Sequence, residues 1–392
     1  MSRAIVLIDG EHYEPVVRDA LSALPYDVVG ALLVGGSEKL RGGEEYRVPL
    51  VESLEAVEAD LVFDLSDEPV LGPRERLLWA SRAIALGLPY VGADFRFDPP
   101  PLHAVGTPSL AVIGLGKRIG KTAVAGHVAR FLTRDRRVVV VAMGRGGPAE
   151  PELVEAPPTL EDLLALSRSG RHAASDHLEA AALAGVPAIG CRRAGGGLAG
   201  ATFDSNVLEG ARLAEQLEPE LLVFDGSGAA LPPVEADARI LVTNGGHDAR
   251  EGLNAYRVLV SDLVVDTGGA DRDSIGSISD VPVIGAELRL RPAEPLRGRR
   301  TAVFTTGPAP VEDLDAEIVH VSRNLARRKA LREELEHVKA DVFLVELKAA
   351  AVDVVAEAAL ELGAEVVLAA NDVVSDELDE RVQSLVPERS PT

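Results

Sequence analysis

Residues 110–122 read Leu-Ala-Val-Ile-Gly-Leu-Gly-Lys-Arg-Ile-Gly-Lys-Thr, an apolar run feeding a glycine-rich turn that ends in Gly120-Lys121-Thr122. A buried strand, a flexible turn and a helix from Thr122 to about Leu132 make a phosphate-binding loop. The unpaired N–H groups and positive dipole end of the helix face an anion, with the Lys121 ammonium beside them, and Thr122 is placed to ligate Mg2+. The usual spacing, G-x-x-x-x-G-K-[ST], is not met: its first glycine falls on Leu115, with Gly114 and Gly116 on either side. Nor does Lys117 coincide with the extra lysine of other variant loops, whose place is Gly116 here. Gly114, Gly116, Lys117, Arg118, Gly120, Lys121 and Thr122 are the expected nucleotide-binding residues of a variant loop.

Outward from the loop, apolar runs alternate with helical periodicity, which predicts an α/β protein: a central P-loop NTPase-type parallel sheet flanked by smaller N-terminal and C-terminal α/β domains. The N-terminal domain is expected over 1–100, ending at Asp98-Pro99-Pro100-Pro101, which neither continues a helix nor joins a central strand. The nucleotide-binding core is expected over 107–297, with strands at 137–142, 221–224, 238–243, 263–266 and 281–284. Strands apolar throughout imply a parallel sheet covered on both faces. A further α/β domain is expected over 300–387, and a disordered tail over 388–392.

The chain has 392 residues and a formal net charge of −22. So acidic a balance argues against non-specific nucleic-acid binding and against attachment to an anionic membrane. An anionic substrate must therefore meet a local basic cluster. The single cysteine, Cys191, rules out an internal disulfide and a cysteine-based metal site within one chain. No apolar run reaches the length of a transmembrane helix and the N-terminus enters a strand without a signal-peptide pattern, so a cytoplasmic protein is expected.

In an open α/β sheet, ligands sit beyond the carboxyl ends of the strands. Asp225, ending Leu221-Leu222-Val223-Phe224 and followed by Gly226-Ser227-Gly228, is the expected second Mg2+ ligand beside Thr122 and a catalytic carboxylate. Arg145 stands among glycines in Met143–Pro148, and Arg192 and Arg193 precede Ala194-Gly195-Gly196-Gly197. Guanidinium forks pair bidentately with phosphate oxygens, so these are expected phosphate sites. Asn244, after another strand, is placed to read an adenine edge; the absence there of a GTP-selecting Asn-Lys-x-Asp signature leans towards ATP. Lys348, between a strand and an alanine-rich helix, is positioned to deliver an ammonium to a phosphate. Asp176-His177 reads as a surface or cap pair, and Asp9, Asp64, Ser66 and Asp67 as structural or interdomain groups.

Several segments in combination resemble the cyclic 2,3-diphosphoglycerate synthetases: Ile8–Tyr13, Ser66–Leu71, Tyr90–Phe95, the Gly-Lys-Arg-Ile-Gly-Lys-Thr loop, Gly144–Pro148, Arg192–Gly197, Asp225–Gly228 before Pro232-Pro233-Val234, and Glu346–Ala351. The resemblance implies a cytoplasmic, homodimeric ATP-dependent ligase that closes 2,3-diphosphoglycerate into its cyclic pyrophosphate and releases ADP and phosphate. Lys121, Lys117 and Mg2+ would hold ATP, and Arg145, Arg192 and Arg193 the bisphosphorylated acid, with Lys121, Lys117, Asp225 and Arg145 carrying catalysis. Two other readings remain open: a kinase acting on a phosphoglycerate-like acid, and a nucleotide-switched binding protein.

Overall fold

Strands with no polar face must be covered on both sides, and three of them lie side by side at the centre of the largest sheet: Val138–Gly144, Leu221–Asp225 and Ser109–Gly114. The computed structural model describes residues 1–68, 70–307 and 310–387; the tail expected at 388–392 and Pro69 of the Ser66–Leu71 segment lie outside the described residues. Across this sheet the order is Asp204–Ser205, Ala188–Ala194, Val138–Gly144, Leu221–Asp225, Ser109–Gly114, Ala238–Thr243, Leu263–Asp266 and Val283–Gly285, with Glu152–Val154 added against Ala188–Ala194. The neighbours from Ala188–Ala194 to Val283–Gly285 are all parallel; Asp204–Ser205 and Glu152–Val154 pair antiparallel. The helix Lys121–Leu132 follows the phosphate loop and buries Val124, Ala125, Val128, Ala129 and Leu132 in the sheet's core.

The chain divides into two compact units, one of residues 1–101, 248–260 and 271–280, the other of 102–247, 261–270 and 281–392. The first holds a five-stranded sheet in the order Asp27–Leu33, Arg3–Ile8, Leu61–Asp64, Tyr90–Val91, Arg96–Phe97. Its acidic strand ends are satisfied internally. Asp9 accepts from the backbone N–H groups of Glu11 and Asp67, and Asp64 from the Ser66 N–H and the Tyr90 hydroxyl. The 248–260 segment belongs here because its helix Asn254–Leu259 packs on the helix Pro73–Ala85, and Arg74 donates to Asp248 at 2.7 Å. The expected 107–297 core is therefore interrupted twice, by short segments that belong to the N-terminal unit.

The second unit carries another five-stranded sheet, ordered Glu287–Pro292, Glu365–Val374, Val342–Glu346, Arg300–Phe304, Glu317–Ser322. It starts at Glu287, ahead of the expected break at 297–300, because Glu287–Pro292 pairs antiparallel with Glu365–Val374. This sheet does not stand apart. Leu163, Leu164, Ala174 and Leu178 share a core with Phe304, Phe343 and Val345, and the final helix Leu378–Leu385 packs on the phosphate-loop helix. There Leu378 and Val382 enter the core of the central sheet, while Asp379 meets His127 at 2.7 Å and Arg136 donates to the Pro387 carbonyl at 2.8 Å.

Leu378→Ala is expected to cost about 2–4 kcal/mol by removing a fully buried side chain under the phosphate-loop helix. A denaturant-unfolding midpoint unchanged from wild type would show that the C-terminal helix contributes nothing there.

Candidate active site

The irregular glycine spacing has a packing reason. Leu115 is 4% exposed, and its N–H bonds to the Val242 carbonyl at 3.3 Å, so the residue that the usual pattern would make glycine continues the core. The reversal comes later: Arg118 has φ 59° and Gly120 φ 82°, both left-handed. At Gly120 a side chain would be strained by the backbone and would press on Leu288 and Thr267. The Thr267 hydroxyl donates to the Ile119 carbonyl at 2.8 Å, and Ile119 is buried, so the exposed Lys117 and Arg118 are presented from an anchored turn.

Around this turn lies a cavity of about 390 Å³. Its wall includes Gly116 to Thr122 from the loop and Gly144 to Gly147 after the neighbouring strand, with His172 and Ala174 to Asp176, Ser227 and Gly228. The C-terminal sheet adds Thr306, Ala326, Lys348 and Ala349. Five of the described lining residues are lysine or arginine (Lys117, Arg118, Lys121, Arg145 and Lys348), against one carboxylate, Asp176. In a chain of net charge −22 this is the local cationic cluster that an anionic ligand requires.

Two of these cations, Lys121 and Lys348, are paired with a buried carboxylate behind them. Lys121 is 7% exposed and donates to Asp225 Oδ1. Asp225 is 2% exposed, and burial pushes its carboxyl up to about 6 against the opposing pull of Lys121. The residue expected to face a metal therefore sits behind Lys121 as its counter-ion and is not part of the cavity wall. Arg145 lies against Gly228, whose loop is pinned by Arg193 donating to the Ser227 carbonyl at 2.9 Å. Close backbone approach brings this wall together: a side chain at Gly147 would overlap the Cys191 carbonyl. For Lys348, burial alone would lower the ammonium's pKa, but Glu179, Glu346 and Asp176 outweigh it and hold it above the usual lysine value.

Of the expected site residues, the structure brings Gly116, Lys117, Arg118, Gly120, Lys121, Thr122, Arg145 and Lys348 to one cavity. Gly114 lies beneath the loop, against Ile119. Arg192 and Arg193 are a correction. Successive residues of Ala188–Ala194 point to opposite faces, so the two arginines do not face one site together, and neither is among the residues that line the cavity. Arg192 is exposed and Arg193 is buried, donating to the Gly195 and Ser227 carbonyls. Asn244 is not among the residues that line the cavity, and its side-chain oxygen accepts from the Gly246 N–H at 3.0 Å. Asp176 and His177 part company. Asp176 faces the cavity, whereas His177 is packed under Gly190, and burial lowers its pKa. His172, Ser175 and Thr306 had no motif to mark them.

This strand, turn and helix, opening on a cation-lined cavity, define a nucleotide-binding protein of the P-loop class. Family models of the cyclic 2,3-diphosphoglycerate synthetase match along the chain: the N-terminal domain over residues 3–98, the P-loop domain over 109–280 and the C-terminal domain over 292–372. The chain belongs to the cyclic 2,3-diphosphoglycerate synthetase family. Cyclic 2,3-diphosphoglycerate synthetases of Rubrobacter xylanophilus and Thermococcus onnurineus are 46% and 42% identical to it, over 96% and 95% of this chain and 95% and 94% of theirs. That of Methanothermus fervidus is 37% identical over 96% of this chain and 94% of its own. Among solved structures, apo-form LpxK from Aquifex aeolicus in complex with ATP aligns at 14% identity and a TM-score of 0.44, over 73% of this chain and 91% of that one; so low a score carries no argument.

Gly120→Ala forces a side chain into the left-handed region and against Leu288 and Thr267, and a turn that distorts to relieve that cost of about 1–2 kcal/mol should bind nucleotide roughly tenfold more weakly. Titration with a fluorescent ATP analogue checks this. Wild-type affinity would mean that the turn does not shape the site.

Proposed function

We propose that this cavity is where the chain carries out its cyclic 2,3-diphosphoglycerate synthetase activity, with ATP and 2,3-diphosphoglycerate placed phosphate to phosphate along one cationic wall. The observation that carries the reading is the convergence of five cations from the loop, the neighbouring strand end and the C-terminal sheet on a single space.

Joining two phosphates of one small acid means crowding several dianions, and the reaction proceeds in two transfers. One substrate phosphate attacks the γ-phosphorus of ATP, forming a new P–O–P bond as ADP leaves. An oxygen of the other substrate phosphate then attacks the inner phosphorus of that new diphosphate. The terminal phosphoryl group departs with the bridging oxygen as orthophosphate, and the ring closes. Both nucleophiles are already anionic at neutral pH, so the catalytic requirement is charge neutralisation and alignment, not a strong base.

Lys121, Lys117 and the loop N–H groups would hold the β- and γ-phosphates of ATP. Arg145 and Lys348, on the opposite contributions to the wall, would hold the diphosphoglycerate and the departing orthophosphate. Mg2+ fits as an ion borne largely by phosphates, because Thr122 lines the cavity and, among the described residues, no group of three or more His, Cys, Asp and Glu could cage a metal. It would supply additional neutralisation of the nucleotide's charge. Asp225 contributes by holding the Lys121 ammonium in place.

Lys121→Ala is expected to abolish ADP release, by 100-fold or more on the order of the loss of one preorganised charge contact, while circular dichroism remains that of the wild type. Turnover near wild type would sink the assignment. Arg145→Ala should raise the KM for 2,3-diphosphoglycerate roughly tenfold or more, and Arg192→Ala should leave it within about twofold. An effect at Arg192 equal to that at Arg145 would contradict the division between the two arginines.

A further inference from the structure

Lys348 follows the strand Val342–Glu346 and precedes the π-helical turn Ala351–Ala356. Ala349, with φ 49°, turns the backbone there, and both residues line the cavity. An ammonium largely withdrawn from water needs a compensating charge, and the nearest carboxylates in sequence and space are committed elsewhere. Glu346 accepts from the Thr306 N–H at 2.7 Å, the Thr306 hydroxyl at 3.0 Å and the Asn371 amide at 2.7 Å. Asp225 accepts from Lys121.

Asp176 faces the cavity without an ion pair to Lys348, and the group in contact is Glu179, whose Oε1 lies 3.4 Å from Lys348 Nζ and whose side chain is 9% exposed. Its other oxygen, Oε2, is buried without a hydrogen-bond partner among the described residues. A buried carboxylate retained for stability is normally satisfied at both oxygens. Here the cost of desolvation, which pushes the Glu179 carboxyl up to about 7, is borne for one ionic contact. Glu179 does not itself line the main cavity. It ends the helix Asp176–Glu179 and begins the π-helical turn Ala180–Ala184, which packs on the phosphate-loop helix. The Glu179–Lys348 pair thus ties the C-terminal sheet to the element beside the loop.

We infer that Glu179 is a positioning residue acting through Lys348, fixing that ammonium against a phosphate of 2,3-diphosphoglycerate. The inference rests on the reading of Lys348 as a substrate-phosphate ligand. An ammonium without its counter-ion would swing towards Asp176 or out to solvent, and the pocket would lose a charge on the diphosphoglycerate side while the nucleotide side stayed intact.

The test is a double-mutant cycle on the full-length enzyme with Glu179→Gln, Lys348→Met and the pair together. Lys348→Met is expected to lower kcat/KM for 2,3-diphosphoglycerate roughly 100-fold. Glu179→Gln should lower it about 10–100-fold, as groups that orient a ligand-holding side chain do, with Glu179→Asp recovering part of the loss. ATP affinity should stay within about twofold throughout, and the double variant should be no worse than Lys348→Met alone. If the Glu179→Gln factor returns in full in the Lys348→Met background, Glu179 acts elsewhere and the inference is overturned. If Lys348→Met is near wild type, the reading of Lys348 falls first and this inference with it. Should the Gln variant fail to fold, Glu179→Asp in both backgrounds carries the same comparison.

Discussion

The structure of the site follows from one constraint: like charges repel, and this cavity holds five cationic side chains together with no ligand between them. At short range in a partly dry cavity that repulsion is large. The chain answers it from behind the wall. Lys121 is bonded to buried Asp225, and Lys348 is paired with buried Glu179. The strongly acidic composition is thus compatible with a cationic centre, because some of its carboxylates are used as internal counter-ions.

The same arrangement explains why the two sheets of the second unit share a core. A lysine delivered from the C-terminal sheet is useful only if that sheet is registered against the phosphate loop. The packing of Phe304, Phe343 and Val345 with Leu163, Leu164 and Leu178, and of Leu378 and Val382 under the loop helix, supplies the register. Burial of these apolar side chains is worth far more than any single ion pair in the pocket. Packing therefore sets the geometry, and the charges use it.

Much of this was legible in the residues themselves. The apolar runs gave away the parallel core, and Gly120-Lys121-Thr122 located the loop despite Leu115. Arg145 and Lys348 were visible as cations at strand ends. Three things were not legible. Arg192 and Arg193 lie on a strand, where adjacent side chains diverge, and the glycines after them suggested a loop that begins only later. Asp225 carries the signature of a metal ligand, but its burial behind Lys121 depends on the spacing between two strands, which no local pattern encodes. Asp176 and Thr306 reach the cavity, and Glu179 the back of Lys348, by tertiary packing of short elements. The displacement of 248–260 and 271–280 into the N-terminal unit was hidden for the same reason: helices of about one turn leave little periodicity to read.

Phosphorus NMR of the enzyme with ATP, Mg2+ and 2,3-diphosphoglycerate tests the account most directly. The account predicts that the two phosphomonoester resonances of the acid are replaced by a coupled pair in the pyrophosphate region, while ADP and orthophosphate appear together in equal amounts. ADP accumulating without orthophosphate, beside a linear phosphorylated acid, would contradict it and leave a kinase; orthophosphate released with the diphosphoglycerate unchanged would leave only an ATPase.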